Sequence, residues 1–227
     1  MMFSGAFLQM TRSLASARRI REVLTEQPDL ANAAEPVDTV PNGQIDFEGV
    51  SFKYNAAAQK SALSDITLHI PAGATVGIIG GTGSAKTTLV QLIPRLYDAT
   101  EGTVKVGGRD VRDYDLTALR DAVGIVLQKN LLFSGTIRDN LKWGNPDAAE
   151  EQLWAACRAA HADEFLDRMP DGLDTDLGQG GVNVSGGQKQ RLCIASTLLK
   201  HPKVLIFDDS TSAVDTATES GIRRALA

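Results

Sequence analysis

Residues 76–88 read VGIIGGTGSAKTT: a branched apolar run, a glycine-rich turn, then a lysine and two threonines where a helical pattern begins. Against the template G-x-x-x-x-G-K-[ST], Gly80, Lys86 and Thr87 fill three of the four fixed positions, and Ala85 stands in place of the last glycine. Glycines let backbone N–H groups converge on phosphate oxygens, and a helix N-terminus adds the positive end of its dipole. Gly80, Gly81, Thr82, Gly83, Ser84, Ala85, Lys86, Thr87 and Thr88 are therefore candidate phosphate-binding residues. Lys86 would reach the β- and γ-phosphates of a nucleotide, and the Thr87 hydroxyl would ligate Mg²⁺. Ala85 is expected at negative φ, where a residue opening a helix tolerates a side chain.

A second apolar run, VLIFDD at 204–209, reads as a buried strand ending in two carboxylates. Such an ending is common and says little by itself. Beside a phosphate loop, Asp208 is placed to hold Mg²⁺ through water, and Asp209 to polarise an attacking water. Ser185-Gly186-Gly187-Gln188 opens a further helical pattern, so a hydroxyl and bare N–H groups form a second candidate anion site. Tyr54 offers either a flat face for a base or a core aromatic. Gln128, after the strand-like GIVL, can hydrogen-bond a metal-bound water.

Around these points, short branched runs alternate with helical patterns, which argues for an α/β core with a mainly parallel sheet. Ile45 and Phe47 alternate in one register and Val50, Phe52 and Tyr54 in the other, so a bulge is expected at Gly49. Strands are also expected at 63–70, 75–80, 104–106, 123–127 and 204–207. Helices are expected at 86–97, 150–169 and 186–200, with a helical insertion over about 129–190. Residues 28–43 hold three prolines and read as a linker. Before it, Phe3, Phe7, Met10, Leu14, Ala17 and Leu24 form one stripe of a helix with Arg12, Arg18, Arg19 and Arg21 following the apolar start. That order is wrong for a secretory signal. It fits either an amphipathic packing helix or the tail of a transmembrane helix leaving the bilayer on the cytoplasmic side. A net charge of −5 argues against a nucleic-acid partner, and two distant cysteines exclude a disulfide framework.

Taken in order, these stretches resemble the nucleotide-binding domain of ABC transporters. VSGGQ (184–188) is similar to the family's signature, Gln128 to its Q-loop glutamine, and Tyr54 to the aromatic that stacks on adenine. SAVD (212–215) resembles the D-loop, and TDLGQGG (175–181) the X-loop of exporters, with Gln179 where Glu is usual. The resemblance covers nearly everything after residue 44. It implies a P-loop NTPase (RecA-like) core with an N-terminal antiparallel β region and a helical subdomain. It also implies ATP and Mg²⁺ as ligands: Lys86, Gln128 and Asp209 in catalytic roles, and Thr87, Gln128 and Asp208 around the metal.

The apolar basic start and LFSGTIRDNLKWG (132–144) narrow the resemblance to exporters with a fused membrane domain, placing this domain on the cytoplasmic face of the cell membrane. The family's partner at each ATP is a second half-transporter, whose signature completes the site. Its catalytic acid is Glu where this chain has Asp209, which favours a heterodimer over a homodimer. The family's switch histidine is expected beyond Ala227, so both ends read as truncated. A soluble ABC ATPase of DNA repair or translation, or a mainly regulatory nucleotide-binding half, is the alternative.

Overall fold

The computed structural model describes residues 2–208 and 221–222, in two units, residues 1–31 and 32–227. The first is one helix, α1 (Met2–Leu24), whose Met10, Leu14, Ile20, Val23 and Leu24 are exposed. No helix among the described residues is long and apolar enough to cross a membrane.

In the second unit, β1 (Ile45–Phe52) pairs antiparallel with β2 (Leu63–Ile70) and with β3 (Glu101–Val106), and β3 pairs with β4 (Arg109–Asp110). The sheet order is β2-β1-β3-β4. Register slips after Phe47 and Glu48, and Gly49 sits at φ 59°, so the bulge falls where the alternation breaks. It keeps Phe47 and Val50 both on the buried face, with Val104, Val106 and Tyr114. The parallel part of the core is the pair β5 (Val123–Val126) and β6 (Val204–Phe207). Among the described residues, the larger share of the sheet is therefore the antiparallel region.

Thr75–Gly80, expected as a strand, has no strand partner among the described residues, and Ile79 is 98% exposed. Composition marks an apolar run, but a strand also needs a neighbour to complete its ladder. The expected 86–97 helix is shorter: α2 spans Lys86–Gln91, and tight turns through Pro94 and Arg95 (φ 53°) end it. Residues 32–43 are tied down, unlike a free linker. Asn32 bonds the Asp115 carboxylate and the Leu116 N–H, Val37 bridges Tyr114, and Val40 is buried.

The helical insertion is built from α4 (Ile137–Lys142), α5 (Glu150–Ala159), α6 (Asp163–Leu166) and α7 (Gly186–Leu198). The remaining helix, α3 (Leu116–Ala122), precedes β5 and is capped by Asp115. The expected 150–169 helix breaks at His161, at φ 53°, yet Leu153, Ala156, Ala160 and Phe165 are all buried as the periodicity required. Thr136 and Asp139 form a capping box that starts α4, and the N-cap accounts for the position of that start.

Gly144 lets the end of α4 meet α7: a Cβ there would lie 1.8 Å from the Ser196 carbonyl oxygen. Gly144→Ala should force the two helices apart and cost about 1–3 kcal/mol of stability, read as a lower midpoint in urea with an unchanged slope. An unchanged midpoint would show that the two helices are not in fixed contact.

Candidate functional site

The chain's apolar run 76–79 delivers it into the turn Gly80–Ser84, and α2 begins at Lys86. Gly83 lies at φ 80°, a conformation that glycine takes without strain. Ser84 donates its N–H to the Gly81 carbonyl, closing the turn. Ala85, expected at negative φ, is instead left-handed (φ 61°, ψ 25°). The turn, not the helix, sets its backbone: as the residue before the first helical turn it still carries the reversal of the chain. This explains why the template has glycine there, since an L-residue in this region is strained by roughly 1–2 kcal/mol.

Lys86 curls back over the turn, its ammonium donating to the Gly80 carbonyl at 2.8 Å and the Gly81 carbonyl at 3.2 Å. Thr87 donates its hydroxyl to the Asp208 carboxylate at 3.0 Å, joining the phosphate loop to the residue just past β6. The next residue, Thr88, is buried, and its hydroxyl lies 2.8 Å from the Tyr54 hydroxyl. Tyr54 stands half-exposed after β1, held edge-on by Phe52 (centroids 4.8 Å, 81°) and Tyr97 (5.2 Å, 87°). T-shaped contacts of this kind are favoured by the ring quadrupoles and hold the Tyr54 ring in place.

These groups line one cavity of about 810 Å³. Tyr54 is at one side, with Gly80, Thr82–Thr88 and Gln128 along the floor, and Ser61, Ala62, Ile78 and Ile79 complete the wall. Of the predicted set, Gly81 adjoins this wall without lining it, and Asp208 reaches it through Thr87. Ser185, Gly186, Gly187 and Gln188 lie elsewhere, at the start of α7. There the Ser185 hydroxyl accepts the Gln188 N–H, and the Gln188 side chain accepts the Ser185 N–H. Asp209 and the SAVD stretch fall outside the described residues.

Two features escaped sequence reasoning. Tyr97 props the Tyr54 ring, and a lone tyrosine in a turn carries no spacing signal. Phe133 and Trp143 form an exposed aromatic pair (centroids 5.0 Å) on the helical lobe. The run of large side chains in LFSGTIRDNLKW hinted at this pair only weakly, because such residues are more often buried.

The Thr87 hydroxyl and Asp208 carboxylate are hard oxygen donors of the kind Mg²⁺ takes, alongside water and phosphate oxygens. Among the described residues no group of three or more His, Cys, Asp or Glu could cage a metal, so a cation here would take the rest of its shell from water or ligand oxygens.

Residues 63–212 match the family model described as ABC transporter. An uncharacterized ABC transporter ATP-binding protein of Bacillus subtilis, YwjA, is 43% identical over 98% of this chain and 39% of its own length. A multidrug efflux ATP-binding/permease protein of Mycobacterium bovis is 43% identical over 98% of the chain and 18% of its length. An ATP-dependent lipid A-core flippase of Desulfotalea psychrophila is 41% identical over 95% and 37%. A solved bacterial Atm1-family ABC exporter with ATP bound superposes with a TM-score of 0.88 at 34% identity, over 95% of this chain and 38% of that one. The chain thus spans less than two fifths of the length of each.

Proposed function

The chain belongs to the ABC transporter family, and we propose that it is the ATP-binding and ATP-hydrolysing domain of an exporter, acting as one of a pair around ATP. The observation that carries this reading is the Thr87–Asp208 hydrogen bond. Two stretches far apart in sequence meet at 3.0 Å beside the ammonium-bearing turn, which is where a magnesium–phosphate complex needs its hydroxyl and its carboxylate.

In this reading the Tyr54 face takes the adenine, and the backbone of Gly80–Thr88 takes the phosphates. Lys86 exchanges its two carbonyl partners for the β- and γ-phosphate oxygens. Thr87 and Asp208, with Gln128 lining the same cavity, would hold Mg²⁺, which when bound neutralises charge on the transferred phosphoryl group. Asp209 orients the attacking water. Ser185–Gln188, remote from this chain's own cavity, serves the nucleotide of a second half-transporter placed head to tail. A heterodimer is favoured because Asp209 replaces Glu. The membrane domain belongs to the same polypeptide or its partner, with this domain on the cytoplasmic face. The exposed Phe133–Trp143 pair is available for seating that domain. The names of the relatives support an exporter over a DNA-repair or translation ATPase, and no nucleic-acid partner is proposed.

Calorimetric titration of the 227-residue chain with MgATP tests the binding half of the proposal. Tyr54→Ala should weaken binding by about 1–3 kcal/mol, the worth of a base stacked on an aromatic ring. Tyr54→Phe, which keeps the ring and loses the Thr88 contact, should weaken it less. Equal affinities for all three proteins would remove adenine from Tyr54, and absence of MgATP binding in the parent chain would overturn the nucleotide reading.

A further inference from the structure

Two positions of the phosphate loop have left-handed backbone, Gly83 at φ 80° and Ala85 at φ 61°, and of the two only Ala85 carries a side chain. Non-glycine residues hold such a conformation when their surroundings over-determine it. At Ala85 itself the methyl packs against the core, but the loop that leads into it is held by little. Every residue from Pro71 to Ser84 is exposed, the apolar run before the turn has no strand partner among the described residues, and the turn is closed by the single Ser84–Gly81 backbone bond. The helix that follows is one and a half turns long and lacks a side-chain N-cap. Among the described residues, the Lys86 ammonium, reaching back to Gly80 and Gly81, holds the turn from its far side.

Resting on the nucleotide reading above, we infer that Ala85 is a positioning residue that sets the loop's affinity for nucleotide phosphates. Its side chain makes the cradle-shaped loop a minority conformer of the free chain. An anion that binds only the cradle shape must first draw the loop into it, and the apparent dissociation constant rises by the inverse of the fraction already there. Lys86 is coupled to the same equilibrium, because the carbonyls it holds belong to the turn that Ala85 closes. The strain thus acts on phosphate capture in particular. The fold as a whole feels it less, because the Ala85 methyl also packs against the core beside Leu89 and Val90.

The test compares the parent 227-residue chain with Ala85→Gly by calorimetric titration with MgATP, and with adenosine by competition. Glycine adopts positive φ freely, so Ala85→Gly should bind MgATP about five- to tenfold more tightly, with adenosine affinity unchanged because no phosphate engages the loop. MgATP affinities within twofold of each other would overturn the inference and leave the nucleotide reading standing. An equal gain for adenosine would also overturn it, by showing a general effect of glycine on the cavity. Failure of both proteins to bind MgATP would instead remove the nucleotide reading, and the inference with it.

Discussion

Replacing Lys86 by alanine is expected to lower MgATP affinity by on the order of 10²-fold. The ammonium already sits at the mouth of the turn, 2.8 Å from the Gly80 carbonyl and 3.2 Å from that of Gly81, with no carboxylate partner among the described residues. A multiply charged phosphate would be a far stronger acceptor than either carbonyl, because both partners of the bond would then be ionised. Truncating one member of a hydrogen-bonded charge pair costs about 2–5 kcal/mol when the pair is buried. The lower part of that range applies in a cavity open to water. Removing the side chain also frees the two carbonyls it braces, so the turn loses a constraint along with a cation. Lys86→Arg separates the two effects, since it restores charge with a different shape. Unchanged MgATP affinity in Lys86→Ala, measured by calorimetry, would remove the phosphates from this turn.

Asp209→Glu is expected to raise steady-state ATP hydrolysis by about 10²-fold in the complete transporter. In the family that this chain belongs to, the residue after the magnesium aspartate is Glu, and Asp is shorter by one methylene, about 1.5 Å of reach. A catalytic group misplaced by about 1 Å can lose about 10²-fold in rate while binding is unaffected. The intact Ser185–Gln188 segment then suggests a partner whose Glu-bearing site this chain completes. Alone, the full-length protein should hydrolyse slowly and respond to Asp209→Glu. With its partner, Ser185→Ala should abolish most of the turnover. Rapid hydrolysis by the unmutated protein alone would overturn the degenerate-site proposal.

Much of the site was legible because it is written as spacing. The interval from Gly80 to Lys86 and Thr87 fixes a turn and a helix start. A branched run ending in Asp208 fixes where a carboxylate leaves a strand, and the two meet at 3.0 Å. The bulge at Gly49 was legible for a similar reason, since burial on a strand has period two and a slip of one residue shows. Where the reading failed, the deciding information was not local. The φ of Ala85 is dictated by the turn's path, which residue type alone does not reveal. Thr75–Gly80 has the composition of a strand, but pairing depends on a neighbour elsewhere in the chain. At His161 the apolar period continues straight through the helix break, because periodicity records which face is buried and not whether the backbone is continuous. Residues 32–43 are proline-rich and polar enough to read as loose, and what anchors them is a pair of side-chain bonds from Asn32 and a bridge from Val37 to Tyr114.

The capping box at Ser185 bears on how this residue can be used. A serine hydroxyl has lone pairs to receive hydrogens and one hydrogen of its own to give. Here a lone pair is committed inward, to the Gln188 N–H, while among the described residues the Ser185 proton has no acceptor. Toward its own helix the hydroxyl accepts, and toward an anion approaching from outside it has a proton free to donate. Aspartate would cap the helix equally well and present the opposite sign to an anion, so helix integrity and anion capture at this position can be separated by a single substitution.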